Sequence, residues 1–142
     1  MSETGSALEA AYRRTEYRVS LTDGRMLALR IGVRDRDAER RLRLAGVRKS
    51  WAIVTPCNPG SRRIGARCNA TQLRRLERQL KRSGHRYLHA VNHDPSGRWP
   101  DEPGFLLCDP PRELAASLGR AFGQNAFVHG GIEAAPGLIW LV

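Results

Sequence analysis

The chain predicts an α+β fold: a single two-layer domain over residues 1–142, with a mixed, mostly antiparallel sheet of about six to seven strands and three to four helices. Three observations carry this expectation. Runs with strand-like apolar patterning outnumber runs with helical spacing. The two kinds follow one another without the regular strand-helix-strand rhythm of a doubly wound sheet. Thr22-Asp23-Gly24 separates two adjacent strand-like runs, the sign of an antiparallel hairpin.

The elements follow in order. Ser6 to Arg14 reads as a short helix with Leu8, Ala11 and Tyr12 on one side. In Thr15 to Leu21, Tyr17, Val19 and Leu21 alternate with polar neighbours as in a half-buried strand, and Met26 to Ile31 completes the hairpin. Arg36 to Leu44 has Ala38, Leu42 and Ala45 at helical spacing, Asp35 and Asp37 where carboxylates suit a helix start, and Gly46 as its stop. Trp51-Ala52-Ile53-Val54-Thr55 is a continuous apolar run, the mark of a central strand, and empties into the Asn58-Pro59-Gly60-Ser61 loop. A helix from about Asn69 to Arg82 buries Leu73, Leu76 and Leu80 and turns Arg74, Arg75, Arg78, Lys81 and Arg82 outward. Asn69 is placed to cap its free amides. Strands follow at Tyr87 to Val91 and, across the loop that carries Trp99 and Glu102, at Phe105 to Cys108. Pro110 and Pro111 open a helix from about Arg112 to Phe122, and Phe127 to His129 and Leu138 to Val142 supply the last two strands.

Composition narrows the class of protein. The fractions of hydrophobic and charged residues, 41% and 27%, are those of an ordinary globular chain, and no apolar run approaches the ~20 residues that cross a bilayer. No membrane partner is expected, and the start of the chain lacks the pattern of a secretory signal. Three cysteines in no close pairing, Cys57, Cys68 and Cys108, argue for reduced thiols in the cytoplasm and against a disulfide framework or a paired zinc site. His85, His89 and His93 repeat at spacing four around a strand and turn, where no helical face gathers them, so neither a metal nor a cofactor is expected. The net charge of +10, carried almost entirely by arginine, attracts polyanions at long range. An arginine-rich surface follows equally from a GC-rich gene.

Candidate site residues lie at element ends. Asn58, Arg62 and Arg63 follow a buried strand, where backbone amides and two guanidinium groups could hold an anion; the same residues also make an ordinary turn. Asn69 facing Asn58 would add a polar floor. Trp99 offers a stacking ring, and Glu102 is the one candidate for a catalytic carboxylate, with a nearby arginine as its plainer partner. Gln124 and Asn125 present amides where a helix yields to a strand, able to read a ligand edge or to satisfy the helix's last carbonyls. Cys57 closes a strand and reads as buried packing.

Tyr12, the Trp51-to-Thr55 strand with Asn58-Pro59, Asn69, the Trp99-to-Phe105 segment and Phe122-Gly123-Gln124-Asn125-Ala126 together resemble a bacterial domain-of-unknown-function family, number 3293, from about Ala10 to the end of the chain. The chain departs from that pattern at Pro56 for alanine, Gly104 for serine, and Cys68 where an acidic residue often precedes Asn69. The resemblance implies no established activity, cofactor or partner. The residues point first to a small basic domain that binds an anionic ligand, a nucleotide or RNA, through Asn58, Arg62, Arg63, Asn69, Gln124 and Asn125 with Trp99 stacking. A small hydrolase or transferase using Glu102 and a protein-interaction module are the alternatives.

Overall fold

Trp51 to Val54 is apolar at every position, and the fold explains why: both faces of this strand are covered. In a computed structural model, which describes residues 3–142 and side chains from Gly5 onward, the elements run α1 Glu3–Arg14, β1 Glu16–Ser20, β2 Met26–Leu29, α2 Arg36–Leu44, β3 Ser50–Val54, a 3₁₀ turn Pro59–Ser61, α3 Ala66–Ser83, β4 Tyr87–His93, β5 Glu102–Cys108, α4 Leu114–Ala121, β6 Ala126–Gly131 and β7 Gly137–Trp140. The seven strands form one curled sheet in the order β2-β1-β4-β5-β3-β6-β7. Trp51 and Ile53 point into a core shared with Tyr17, Val19 and Leu106 and closed by Ala38 and Leu42 of α2. Ala52 and Val54 point into a second core with Phe105, Leu107, Leu76 and Leu80 of α3, and Leu118 of α4.

The predicted α+β class and strand number hold. Two details differ. Every neighbouring pair of strands is antiparallel, so the sheet is not mixed. Helices lie against both faces, so the layers are helix, sheet and helix rather than two. Alternate residues of β3 feeding opposite cores leave no other arrangement.

Helix ends moved where local signals competed. α3 begins at Ala66 behind Gly65, three residues before Asn69, so Asn69 does not cap it. The side chain is drawn instead to the preceding loop. Glu102 belongs to β5, opposite Asn92, and is not on a loop. α4 starts at Leu114 behind Glu113, and Pro111 stands before the helix with its carbonyl accepting from the Leu114 amide. Gly104, where serine was expected from the family pattern, lies so close to β3 that a Cβ would stand 2.3 Å from the Val54 carbonyl oxygen; glycine is required there.

At one rim of the sheet, Asp109 joins the end of β5 to the start of β3. Its φ of +50° turns the carboxylate back onto the amides of Arg48, Lys49 and Ser50, at 2.6–3.1 Å, while Arg86 donates to it at 3.2 Å. Burial alone would raise the carboxyl pKa, but these donors overcome it and hold it below the ordinary 3.8. The proton is therefore bound more weakly in the folded state, so this contribution to stability is present above about pH 3.8 and is lost as pH falls through the folded value. Asp109→Ala leaves three amides without their acceptor, and unfolding in urea should show a loss of about 2–3 kcal/mol near neutral pH that shrinks in acid.

Candidate functional site

Antiparallel alternation brings the polar residues of the opposite rim together. β3 and β4 end there, while β1, β5 and β6 begin there. Asn58 follows β3, Glu102 opens β5, Asn92 is near the end of β4, and Gln124 and Asn125 lead into β6. Residues up to 67 positions apart thus become neighbours.

Asn58 ties this rim. It is 2% exposed and holds a left-handed φ of +47°, a conformation asparagine tolerates better than most side chains. Its Nδ2 donates to Glu102 Oε2 at 2.7 Å, and its Oδ1 accepts from Asn69 Nδ2 at 2.9 Å and from the Ile64 amide at 3.2 Å. The Asn58 amide donates in turn to Asn69 Oδ1 at 2.9 Å. Gln124 Nε2, buried as well, donates to the carbonyls of Cys57 and Phe122, so the end of α4 is fastened to the same turn. Asn125 Nδ2 reaches Ser61 Oγ at 2.9 Å.

Beside this knot opens a cavity of about 630 Å³ between α1 and the sheet. Its floor is apolar, with Ile53, Ala126 and Val128 of the sheet and Leu8 and Ala11 of α1. Polar groups occupy the wall: Tyr12, Glu102, Trp99, Asn92 and Asn125. Burial pushes the Tyr12 hydroxyl up to about 12, with the nearby Glu102 charge adding to it and a hydrogen bond to Ser61 opposing. The Tyr17 phenol, raised for the same first reason, donates to the Tyr12 carbonyl at 3.1 Å.

The Glu102 carboxylate is asymmetric. Oε2 accepts from Asn58 and, at 3.0 Å, from the Trp99 indole; no donor of the described residues reaches Oε1, which is left to the cavity. Burial raises this carboxyl above the ordinary 4.5, and the two hydrogen bonds only partly offset the cost of taking the charge out of water. Across the sheet, Asn92 Oδ1 is buried without a donor among the described residues.

The predicted residues divide. Asn58, Trp99, Gln124, Asn125 and Glu102 line the cavity; Asn69 supports it from behind through Asn58. Arg62 and Arg63 do not line it. The Arg63 guanidinium lies 5.0 Å from the centroid of the Trp99 ring and bonds the Arg98 carbonyl, bracing the ring from outside. The loop amides are spent internally, Gly60 on the Gly123 carbonyl and Ser61 on that of Asn58. Tyr17, Ser61 and Asn92 were missed, and their patterning as ordinary strand and turn residues carries no sign of a site. Among the described residues, no group of three His, Cys, Asp or Glu side chains is arranged to hold a metal, and no helix is long and apolar enough to cross a membrane.

Fold and site define an α+β domain with a half-buried carboxylate in an amphipathic cavity at one rim of its sheet. The family model described as a protein of unknown function (DUF3293) matches residues 54–127, and the chain belongs to that family. That stretch is narrower than the resemblance read from the sequence: it holds Asn58, Asn69, Trp99, Glu102, Gln124 and Asn125 but not Tyr12 or the rest of α1. No curated protein and no solved structure matches the chain.

Because both donors converge on one oxygen, a glutamine at 102 can present its carbonyl to Asn58 and Trp99 and keep the knot. The raised pKa means that the folded state holds the proton more tightly than the unfolded chain, so ionisation erodes stability as pH rises through the window above 4.5. Glu102→Gln escapes this cost. It should melt at or above the wild-type temperature near pH 7, with the difference shrinking near pH 4; a variant destabilised most at neutral pH would contradict the account.

Proposed function

We propose that this protein binds a nucleotide, free or at the end of an RNA, with the base inside the rim cavity and the phosphate at its mouth. The observation that carries the reading is Glu102 Oε1, an acceptor without a donor among the described residues, on a half-buried side chain that lines a cavity with an apolar floor. A phosphate cannot sit against it, because two like charges in a poorly hydrated space repel strongly. A flat ring with an N–H or amino donor satisfies the carboxylate and covers the apolar floor together. Arg14 and Arg98, exposed at the cavity lining and paired with no carboxylate of the described residues, supply positive charge for the anionic end. The volume falls within the ~300–1,000 Å³ common for small-ligand sites. Three free cysteines favour a reducing, cytoplasmic setting.

Thermal shift and calorimetry across nucleoside mono-, di- and triphosphates of the four bases test this. At least one should raise the melting temperature, and Glu102→Gln should weaken that ligand about ten- to a hundredfold, as loss of a charge-assisted hydrogen bond does. No stabilisation by any of them at millimolar concentration rejects the reading. A second reading, Glu102 as general base of a hydrolase or transferase, is favoured by its raised pKa and open oxygen. There, Glu102→Gln abolishes turnover while binding survives.

A further inference from the structure

The positive charge of this protein is unevenly distributed. Each arginine–carboxylate ion pair among the described residues lies within residues 16–43, or joins Arg43 to Glu133 or Arg86 to Asp109. α3 has none. Its basic side chains, Arg67, Arg74, Arg75, Arg78, Lys81 and Arg82, bond only neutral groups of their own helix where they bond at all, as Arg74 does to Thr71 and Arg75 to Gln72. The single acid of the helix, Glu77, accepts from the Tyr87 hydroxyl at 2.8 Å. With six cations against Glu77, this helix carries five of the ten net positive charges, while most arginines of α2 and the β1–β2 hairpin are ion-paired.

At 3.6 residues per turn these six cations fall within about one third of the helix circumference, opposite the buried Leu76 and Leu80, and extend roughly 22 Å along the axis. Arg74, Arg78 and Arg82 succeed one another at spacing four, where like charges oppose helix formation. Packing against the sheet holds the array in place. Between this ladder and α4, Arg75, Arg78, Gln79, Arg82 and Ser83 line a shallow hollow with Phe122, over whose ring the Arg75 guanidinium lies at 6.0 Å. Phe122 is itself buried, so the hollow has no exposed aromatic ring on which an unpaired base could stack.

We infer that the arginine ladder of α3 binds the phosphate backbone of a nucleic-acid duplex. A rigid line of guanidinium groups some 22 Å long suits a polyanion with regularly spaced phosphates better than one small anion. The lack of a stacking ring favours a duplex over a single strand. A bilayer surface fits less well, because the apolar stripe of the helix is committed to the core and none of its large apolar side chains is left to insert. The ladder and the rim cavity lie on opposite faces of the sheet, and Asn69 of the helix meets Asn58 at the rim.

Fluorescence anisotropy with a 20-base-pair RNA duplex and the DNA duplex of the same sequence, on the full chain, tests the inference. Affinity should fall steeply with salt, and the triple variant Arg74→Gln/Arg78→Gln/Arg82→Gln should bind at least tenfold more weakly, with a log–log salt slope lower by about three. A control, Arg25→Gln/Arg36→Gln/Arg40→Gln, removes the same charge from the opposite face and should bind within about twofold of wild type. Circular dichroism melts verify that both variants fold. Equal losses in the two triple variants, duplex binding untouched by the α3 changes, or tighter α3-dependent binding to phosphatidylserine vesicles than to either duplex would each overturn the proposal. Glu102→Gln should bind duplex normally, and the α3 variant should keep any stabilisation by nucleotides, so the two sites can fail independently.

Discussion

The rim of this molecule depends on one buried asparagine. Asn58 sits in a left-handed turn at the end of β3 and uses both ends of its amide and its own backbone N–H to hold Glu102, Asn69 and the Ile64 amide. An aspartate of the same shape would set a second carboxylate against Glu102, and a leucine would strand several donors and acceptors. Few side chains can both accept the positive φ and donate to a carboxylate from the same position. The chain around it conforms: α3 starts early enough to present Asn69, and Gln124 anchors the end of α4 to the carbonyl of Cys57.

This constraint sets the chemistry of the cavity. Two donors hold one oxygen of Glu102 and leave the other without a donor among the described residues, and burial makes this carboxylate, in the cavity lining, a stronger base than a surface glutamate. The enclosure needs α1, whose Tyr12 closes the wall and packs edge-on against Trp140. The family match begins at Val54, so the knot lies inside the shared stretch while the α1 wall lies outside it.

Electrostatically the protein works at two ranges. The exterior is strongly basic, with a row of unpaired arginines along α3, whereas the inner cavity presents a carboxylate. The long-range positive field and the short-range buried acceptor are then properties of separate faces. Asp109 illustrates the same contrast at the other rim: backbone amides surround it and its pKa falls, whereas Glu102, with fewer donors for its burial, is raised.

Much was legible in the residues themselves. The hairpin at Asp23-Gly24, the helix behind Asp35, the central apolar strand and the leucine stripe of α3 each follow from spacing and turn chemistry that act within a few residues. Polar side chains at element ends, Asn58, Trp99, Glu102, Gln124 and Asn125, are visible in the sequence as well. What periodicity could not supply was the order β2-β1-β4-β5-β3-β6-β7, because hydrogen bonding between distant strands leaves no mark on local sequence. That order decides that β3 ends where β5 and β6 begin, that Asn69 serves Asn58 rather than its own helix, that Arg62 and Arg63 stay outside the cavity, and that Tyr17 and Asn92 enter it. The chain specifies its elements and its charge by short-range physics; the meeting of those polar groups around one cavity depends on contacts tens of residues apart, which only the packed sheet determines.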